Sequence, residues 1–234
     1  MSYYDEYAQN VPLQGVRQGA RAEFITKTYS HLAGAMGLFV AIEVVIFKSG
    51  IAERMAAALA QSWLFVLGAF MIVSWMASGL AHRAKSKVAQ YAALGGYVLA
   101  EAIIFVPLLW VANEFAPGAI SSAAAISLFG FAALTVIAFM TRKDFSFLRG
   151  FLMWAGFGAL ALIVGGLVFG FGLGLYFSVG MIIFAGAAIL YNTSNVIHHY
   201  DEESYVAAAL ELFAAFALLL WYVLRIVISF SSSD

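Results

Sequence analysis

Long apolar runs alternate with short polar links along the whole chain. Each run is close to the roughly 20 apolar residues that an α-helix needs to cross a bilayer. Seven such runs are present, at residues 26–47, 59–81, 88–112, 118–140, 147–169, 173–197 and 204–229. They lack the regular alternation of apolar and polar residues that marks the strands of a membrane barrel. The pattern therefore predicts an all-α integral membrane protein, a bundle of seven transmembrane helices.

The links between the runs are too short to hold a separate domain. We expect one transmembrane domain at 26–230, a polar N-terminal tail at 1–25 and a short C-terminal tail at 231–234. The first 24 residues contain no apolar segment, so we expect no signal peptide at the start. The composition agrees, because 64% of the residues are hydrophobic and 11% are charged, against about 25% charged in soluble domains.

The basic residues lie mostly on one side of the predicted bundle, and this asymmetry predicts the orientation. Nine belong to the N-terminal flank and to the second and fourth links: Arg17, Arg21, Lys27, Arg83, Lys85, Lys87, Arg142, Lys143 and Arg149. The opposite side has three: Lys48, Arg54 and Arg225. The N-terminus is therefore predicted to be cytoplasmic.

Three acidic residues lie inside the apolar runs: Glu43, Glu101 and Glu211. Charged groups at membrane depth are costly, so they usually face the protein interior and serve a function. Glu43 is five residues from Lys48, and an interfacial side chain is an equally good interpretation there. Glu101 lies among apolar neighbours and needs a polar partner or a bound proton. We assign Glu211, and with it Glu101, to gating or to an ion pathway.

A polar cluster closes the sixth run. Asn192, Asn195 and His199 are spaced i, i+3 and i+7, so they share one face of a helix. Their amides either hold neighbouring helices together or line the cytoplasmic mouth of an ion pathway. His198 and His199 are candidate pH sensors, because imidazole changes charge near neutral pH. The acids at 201–203 are consecutive and do not converge on one point, so we predict no metal site.

Several classes of membrane protein are disfavoured by the sequence. A retinal protein needs a lysine in its last helix, and none follows Lys143. Neither the Gly-x-Ser-Gly site of intramembrane serine proteases nor the His-Glu-x-x-His motif of zinc proteases is present. The chain has no cysteine, and no basic region favours nucleic acid. We therefore expect no enzymatic activity, no cofactor and no nucleic-acid partner.

Three stretches match motifs of a known family. They are the link at 141–153, TRKDFSFLRGFLM, the end of the sixth run at 189–198, ILYNTSNVIH, and most of the seventh run at 207–225, AAALELFAAFALLLWYVLR. The first is similar to T-x-[KR]-D-[FL]-[ST] and the second to I-x-Y-D-T-x-x-I. In motif order, spacing and helix count, residues 26–230 resemble the Bax-inhibitor family, also called transmembrane Bax inhibitor motif (TMBIM) proteins, and its bacterial members in particular.

The resemblance implies a seven-helix bundle with helix seven at its centre. Members of the family are described as calcium-leak channels or pH-sensitive modulators of ion flux. In bacterial relatives the gate is a hydrogen-bonded pair of aspartates on helices six and seven, latched to an arginine near the end of helix two. In this chain those positions hold Asn192, Glu211 and Arg83. Asparagine cannot share a proton as a second carboxylate does, so the pH response should be weaker or shifted.

We therefore expect a pH-sensitive calcium (cation) leak channel or ion-flux modulator in the bacterial cytoplasmic (inner) membrane. Its partners would be the lipid bilayer and calcium or another cation. The alternative is a non-conducting regulator, since some bacterial members of the family modulate a membrane-bound AAA protease. Its contact surface would be the polar tail at residues 1–24. The sequence does not fix the oligomeric state, and a monomer is the working expectation.

Overall fold

The computed structural model describes residues 13–84 and 86–231, with side chains from Gly19 onward. These residues form eight helices and no strand. In chain order they are α1 (Leu13–Lys48), α2 (Ala52–Gln61), α3 (Trp63–Arg83), α4 (Lys87–Phe115), α5 (Ala119–Thr141), α6 (Leu148–Phe169), α7 (Gly174–His198) and α8 (Tyr205–Ser231). Over the described ranges, every helix except α2 is long and apolar enough to cross a membrane. The predicted all-α bundle with seven spans is confirmed.

Two boundaries differ from the predicted ones. Helix α1 begins at Leu13, inside the stretch that was predicted to be tail, because a polar segment continues the same helix. Residues 1–12, half of the tail expected to contact a partner, lie outside the described residues. Helix α2 was not predicted. Its Ala-rich sequence favours a helix, and Ala52 and Ala56, one turn apart, are buried, in a cluster that includes Val106 of α4.

Helix α8 lies at the centre of the bundle. It packs against α1, α3, α4, α5 and α7, and fourteen of its residues are buried. Alanines such as Ala207, Ala208 and Ala209 allow close approach of the surrounding helices. Larger side chains fill the remaining space, and the Phe213 ring contacts the rings of Phe39 and Tyr97 with centroids 6.1 Å apart in both pairs. The expected central position of the last helix is thus observed.

Helix α6 lies at the periphery. None of its residues is buried, and the helix packs mainly against α7. It ends at Phe169, and the following Gly170 adopts the left-handed conformation with a φ of 73°. The chain then turns back so tightly that a Cβ on Gly166 would lie 3.0 Å from the main-chain oxygen of Phe171. A short turn therefore joins α6 to its one main neighbour.

The links define two faces of the bundle. Ala84 and Ser86 and the links at 142–147 and 199–204 lie at one end, together with most of the described Lys and Arg residues, and we call this end the basic face. The links at 116–118 and 170–173 lie at the other end, which we call the opposite face. The basic face is the one that the charge pattern predicts to be cytoplasmic.

Candidate functional site

Three helices meet at Glu211 on α8. The Ser78 hydroxyl on α3 donates a hydrogen bond of 2.6 Å to Glu211 Oε1. The Asn192 side-chain amide on α7 donates to the main-chain oxygen of Glu211 at 2.9 Å. Asn192 is buried, whereas Ser78 and Glu211 are half-buried. We call these three residues the Glu211 junction. Asn192 thus contacts the backbone at Glu211 and not its carboxylate.

A cavity of about 560 Å³ lies between the Glu211 junction and the basic face. Its lining residues come from α3, α6, α7, α8 and the two links beside them: His82, Ser146, Arg149, Tyr191, Asn192, Asn195, His199, Tyr200 and Glu211. Glu211 is the single carboxylate in this lining, beside two imidazoles and the Arg149 guanidinium. We call it the basic-face cavity.

A second cavity of about 720 Å³ extends from the Glu211 junction toward the opposite face. Asn192 and Glu211 line its inner end, whereas Phe171, Leu173 and Arg225 lie toward the opposite face. Glu211 and Arg225 are 14 residues apart on α8, a rise of about 21 Å. Glu101 of α4 also lines it and accepts a hydrogen bond of 2.7 Å from the Tyr97 hydroxyl. We call it the inner cavity.

The two cavities share two lining residues, Asn192 and Glu211. One cavity therefore reaches this point from the basic face and the other from the opposite face. The Glu211 junction is the place where the two approach each other. The polar side chains of Asn192 and Glu211 therefore lie between the two cavities.

The link at 199–204 covers the basic-face cavity and is tied to four other elements. His199 Nε2 lies 3.0 Å from Asp144 Oδ2 in the link between α5 and α6. A hydrogen bond from the Ser146 amide, and then the contact with His199, lower the pKa of Asp144. The Tyr200 ring stacks on His82, with 5.9 Å between centroids. Burial and the nearby Glu211 carboxylate raise the pKa of Tyr200.

Two cations complete these ties. The Arg21 guanidinium on α1 donates to the main-chain oxygen of Ile197, in the last turn of α7, and to that of Tyr200 in the link. Lys87 of α4 lies 3.0 Å from Glu203 Oε2, and this contact lowers the pKa of Glu203. The link at 199–204 is therefore held by α1, α3, α4 and the link at 142–147.

The structure brings four predicted residues together. Asn192, Asn195, His199 and Glu211 all line the basic-face cavity, as the shared helix face of the first three led us to expect. Glu101 is 6% exposed and lines the inner cavity.

The other predicted residues lie apart. Arg83 is exposed at the end of α3 and does not line either cavity. His198 is exposed, with its ring 6.1 Å from that of His199. Glu43 is 7% exposed, and neither carboxylate oxygen has a hydrogen-bond partner among the described residues. Within residues 13–84 and 86–231, no three His, Asp or Glu side chains converge as metal ligands.

Several residues of the site gave little signal in the sequence. Ser78 lies inside an apolar run, where serine commonly bonds to its own helix. Tyr97 and Tyr200 resemble the aromatic residues found throughout such helices. Arg149 was counted among the charges of the basic face and not as a lining group, and His82 was not singled out. The one available signal was the spacing of Ser78 and His82, which are four residues apart and so share a face of α3.

The amino-acid sequence is similar to one protein family and to two individual proteins. A family model described as "Inhibitor of apoptosis-promoting Bax1" matches residues 21–232. The protein called Bax inhibitor 1 from Schizosaccharomyces pombe is 27% identical, over 98% of this chain and 85% of its own length. An uncharacterized protein from Pseudomonas aeruginosa is 38% identical over 97 residues, which are 41% of this chain and 43% of that protein.

Proposed function

The chain belongs to the Bax-inhibitor family, and on that premise we propose that it is a pH-sensitive leak pathway for calcium or another cation. The supporting observation is that two cavities from opposite faces meet at the Glu211 junction. A route for a hydrated ion needs polar groups where it narrows, and Glu211 supplies the negative charge that favours a cation there.

The hydrogen bonds at the Glu211 junction are those expected of a closed pathway. Ser78 holds the Glu211 carboxylate against α3, and Asn192 holds the backbone of α8 against α7. Opening requires these contacts to break or rearrange. In this proposal the junction is the gate, and its asparagine and serine take the place of the acid pair and arginine latch implied by the family resemblance.

The pH dependence follows from the charges around the gate. Imidazole gains a proton as the pH falls below neutral. Protonation of His82 and His199 adds positive charge to a cavity that already contains Arg149. Like charges at the mouth oppose the entry of a cation. The proposal therefore expects lower cation flux at pH 5.5 than at pH 7.5.

The experiment is calcium flux into liposomes containing the purified protein, with Glu211→Gln beside the wild type. Glutamine still accepts a hydrogen bond from Ser78 but removes the charge. We expect flux to fall roughly tenfold, which corresponds to a loss of about 1.4 kcal/mol of interaction with the ion. Glu114→Gln, which removes an exposed acid at the opposite-face end of α4, is the matched control. Equal flux from wild type and Glu211→Gln would remove Glu211 from the pathway.

A further inference from the structure

The inner cavity has features of a site for an organic molecule as well as of an ion route. Its volume of about 720 Å³ lies within the roughly 300–1,000 Å³ of small-molecule sites. Aromatic rings form much of its wall, and they include Trp63, Phe70, Tyr97, Phe105 and Trp221. A hydrated calcium ion gains little from such a wall, whereas an apolar ligand gains from every ring that it covers.

The aromatic rings are held in place by one another. Trp63 and Trp221 stack with centroids 5.9 Å apart, and Phe105 meets Trp221 edge-on at 5.0 Å. Tyr97 lies beside Phe70 at 6.1 Å. The wall is therefore preformed, which lowers the entropic cost of ordering side chains around a ligand. Faces of aromatic rings also attract cations, since the ring quadrupole places negative charge there.

The charges of the inner cavity favour a cationic ligand. Glu101 and Glu211 are its two carboxyl groups, on α4 and α8. Glu101 is 6% exposed, and its hydrogen-bond partner Tyr97 also belongs to the wall. The one basic residue of the lining, Arg225, lies toward the opposite face, and its guanidinium is 5.8 Å from the Tyr222 ring centroid. The acidic and basic groups are thus at different depths.

The wall of the inner cavity that α6 forms is loosely packed against the rest of the bundle. This helix forms one wall of the inner cavity through residues such as Gly156, Leu160 and Ile163. It packs mainly against α7 and makes no close packing with α3 or α4, whose side chains form the facing wall. We therefore expect a ligand dissolved in the bilayer to enter the inner cavity on the side of α6.

We propose that the inner cavity binds an amphipathic organic cation, such as an ammonium or phosphonium bearing aromatic groups. The apolar groups cover the Trp63, Phe105 and Trp221 rings, and the positive charge lies near Glu101 and Glu211. The site does not require the protein to conduct ions, and it is measured by binding alone.

Equilibrium dialysis of the purified full-length protein with labelled tetraphenylphosphonium tests this site, with labelled tetraphenylborate as the comparison. The two ions have nearly the same shape and opposite charge. We expect saturable binding of the phosphonium and at least tenfold weaker binding of the borate. Equal binding of both ions would show a merely apolar cavity and overturn the proposal. Tighter binding of the borate would indicate an anion site at Arg225 and would overturn it as well.

The variant Glu101→Gln locates the charge that matters. The glutamine amide oxygen still accepts the hydrogen bond from Tyr97, but the negative charge is gone. We therefore expect phosphonium affinity to fall about tenfold and borate affinity to stay the same or rise. Glu114→Gln is the matched control and should bind as the wild type does. Unchanged phosphonium affinity in Glu101→Gln would overturn the assignment. The comparison of the two ions on the wild type needs no variant, so it holds even if Glu101→Gln does not fold.

Discussion

At the scale of single residues, Ser78 and Arg83 show how strongly helix geometry selects a contact. They are five residues apart on α3, which places them about 140° apart around the axis and about 7.5 Å apart along it. Ser78 faces Glu211, and Arg83 is exposed. The latch predicted between Arg83 and Glu211 would therefore require α3 to turn about its own axis.

The Ser78–Glu211 hydrogen bond leads to a prediction at this scale. In Ser78→Ala the Glu211 carboxylate keeps its charge and loses a donor. We expect the free energy of unfolding to fall by about 1.5 kcal/mol, the lower end of the range for a bond to a charged group, because Glu211 is only half-buried. If the bond holds the gate closed, calcium flux into liposomes should rise, in contrast to the fall expected for Glu211→Gln.

The control for Ser78→Ala is Ser121→Ala. The Ser121 hydroxyl on α5 is exposed and donates a hydrogen bond to the main-chain oxygen of Gly118, the residue that precedes α5. Its loss should leave calcium flux unchanged. Flux from Ser78→Ala that matches both the wild type and Ser121→Ala would contradict a gating role for Ser78.

Polar residues at membrane depth were only partly predictable. Glu101 and Glu211 were identified because an acid in an apolar run is costly and needs an interior partner. The identity of that partner depends on how each helix is rotated. Helix α3 is apolar on nearly every side, so its sequence carries no pattern that fixes its rotation. Ser78 could therefore not be chosen before the packing of α3 against α8 was seen.

At the scale of elements, the link at 199–204 is held by charges that titrate. The lowered pKa of Asp144 means that its carboxylate stabilises the fold at pH values above about 4. This stabilisation is lost as the pH falls through the lowered value.

The corresponding prediction concerns Asp144→Ala. We expect its Tm to be lower than that of the wild type at pH 6, and the difference to shrink as the pH falls below about 4. Thermal unfolding in detergent across this range measures it. Asp201→Ala, an exposed acid of the 199–204 link, should show no such dependence. A Tm difference that stays constant down to pH 3 would show that the Asp144 carboxylate is not its source.

The elements themselves followed from the sequence with small errors. A run of about 20 apolar residues has few stable alternatives to a membrane helix, so all seven spans were found. The second predicted run began at 59, whereas α3 begins at Trp63. The cause is α2, which ends at Gln61. Its short alanine-rich sequence merges with the following run when hydrophobicity alone is considered.

At the scale of the whole molecule, the orientation in the membrane is open to a direct test. The chain contains no cysteine, so a single introduced cysteine is the only target for a maleimide. Asp201→Cys lies on the basic face and Glu114→Cys at the opposite face, and both sites are exposed.

If the N-terminus is cytoplasmic, a membrane-impermeant maleimide should label Glu114→Cys in intact cells. Asp201→Cys should be labelled only after the membrane is opened. The reverse pattern would show that the Lys and Arg asymmetry does not set the orientation of this chain. The cysteine-free wild type reports background labelling.

The two cavities could not be predicted from the sequence. Asn192 and Asn195 were correctly placed on one face of α7, because that depends only on the period of a helix, and His199, just past the end of α7, lines the same cavity. Glu211 of α8 lines both cavities only because five helices lie at particular distances from one another. Such distances are set by side chains that are far apart in the chain, such as Trp63 and Trp221.

The peripheral position of α6 affects how this helix responds to the bilayer. Its 22 residues span about 33 Å, close to the roughly 30 Å thickness of the hydrocarbon core. A helix in a thinner bilayer tilts, and neighbouring helices resist the tilt. The core helices have such neighbours on several sides, whereas α6 is held mainly by α7. We therefore expect membrane thickness to act on α6 more than on the rest of the bundle, and through α6 on one wall of the inner cavity.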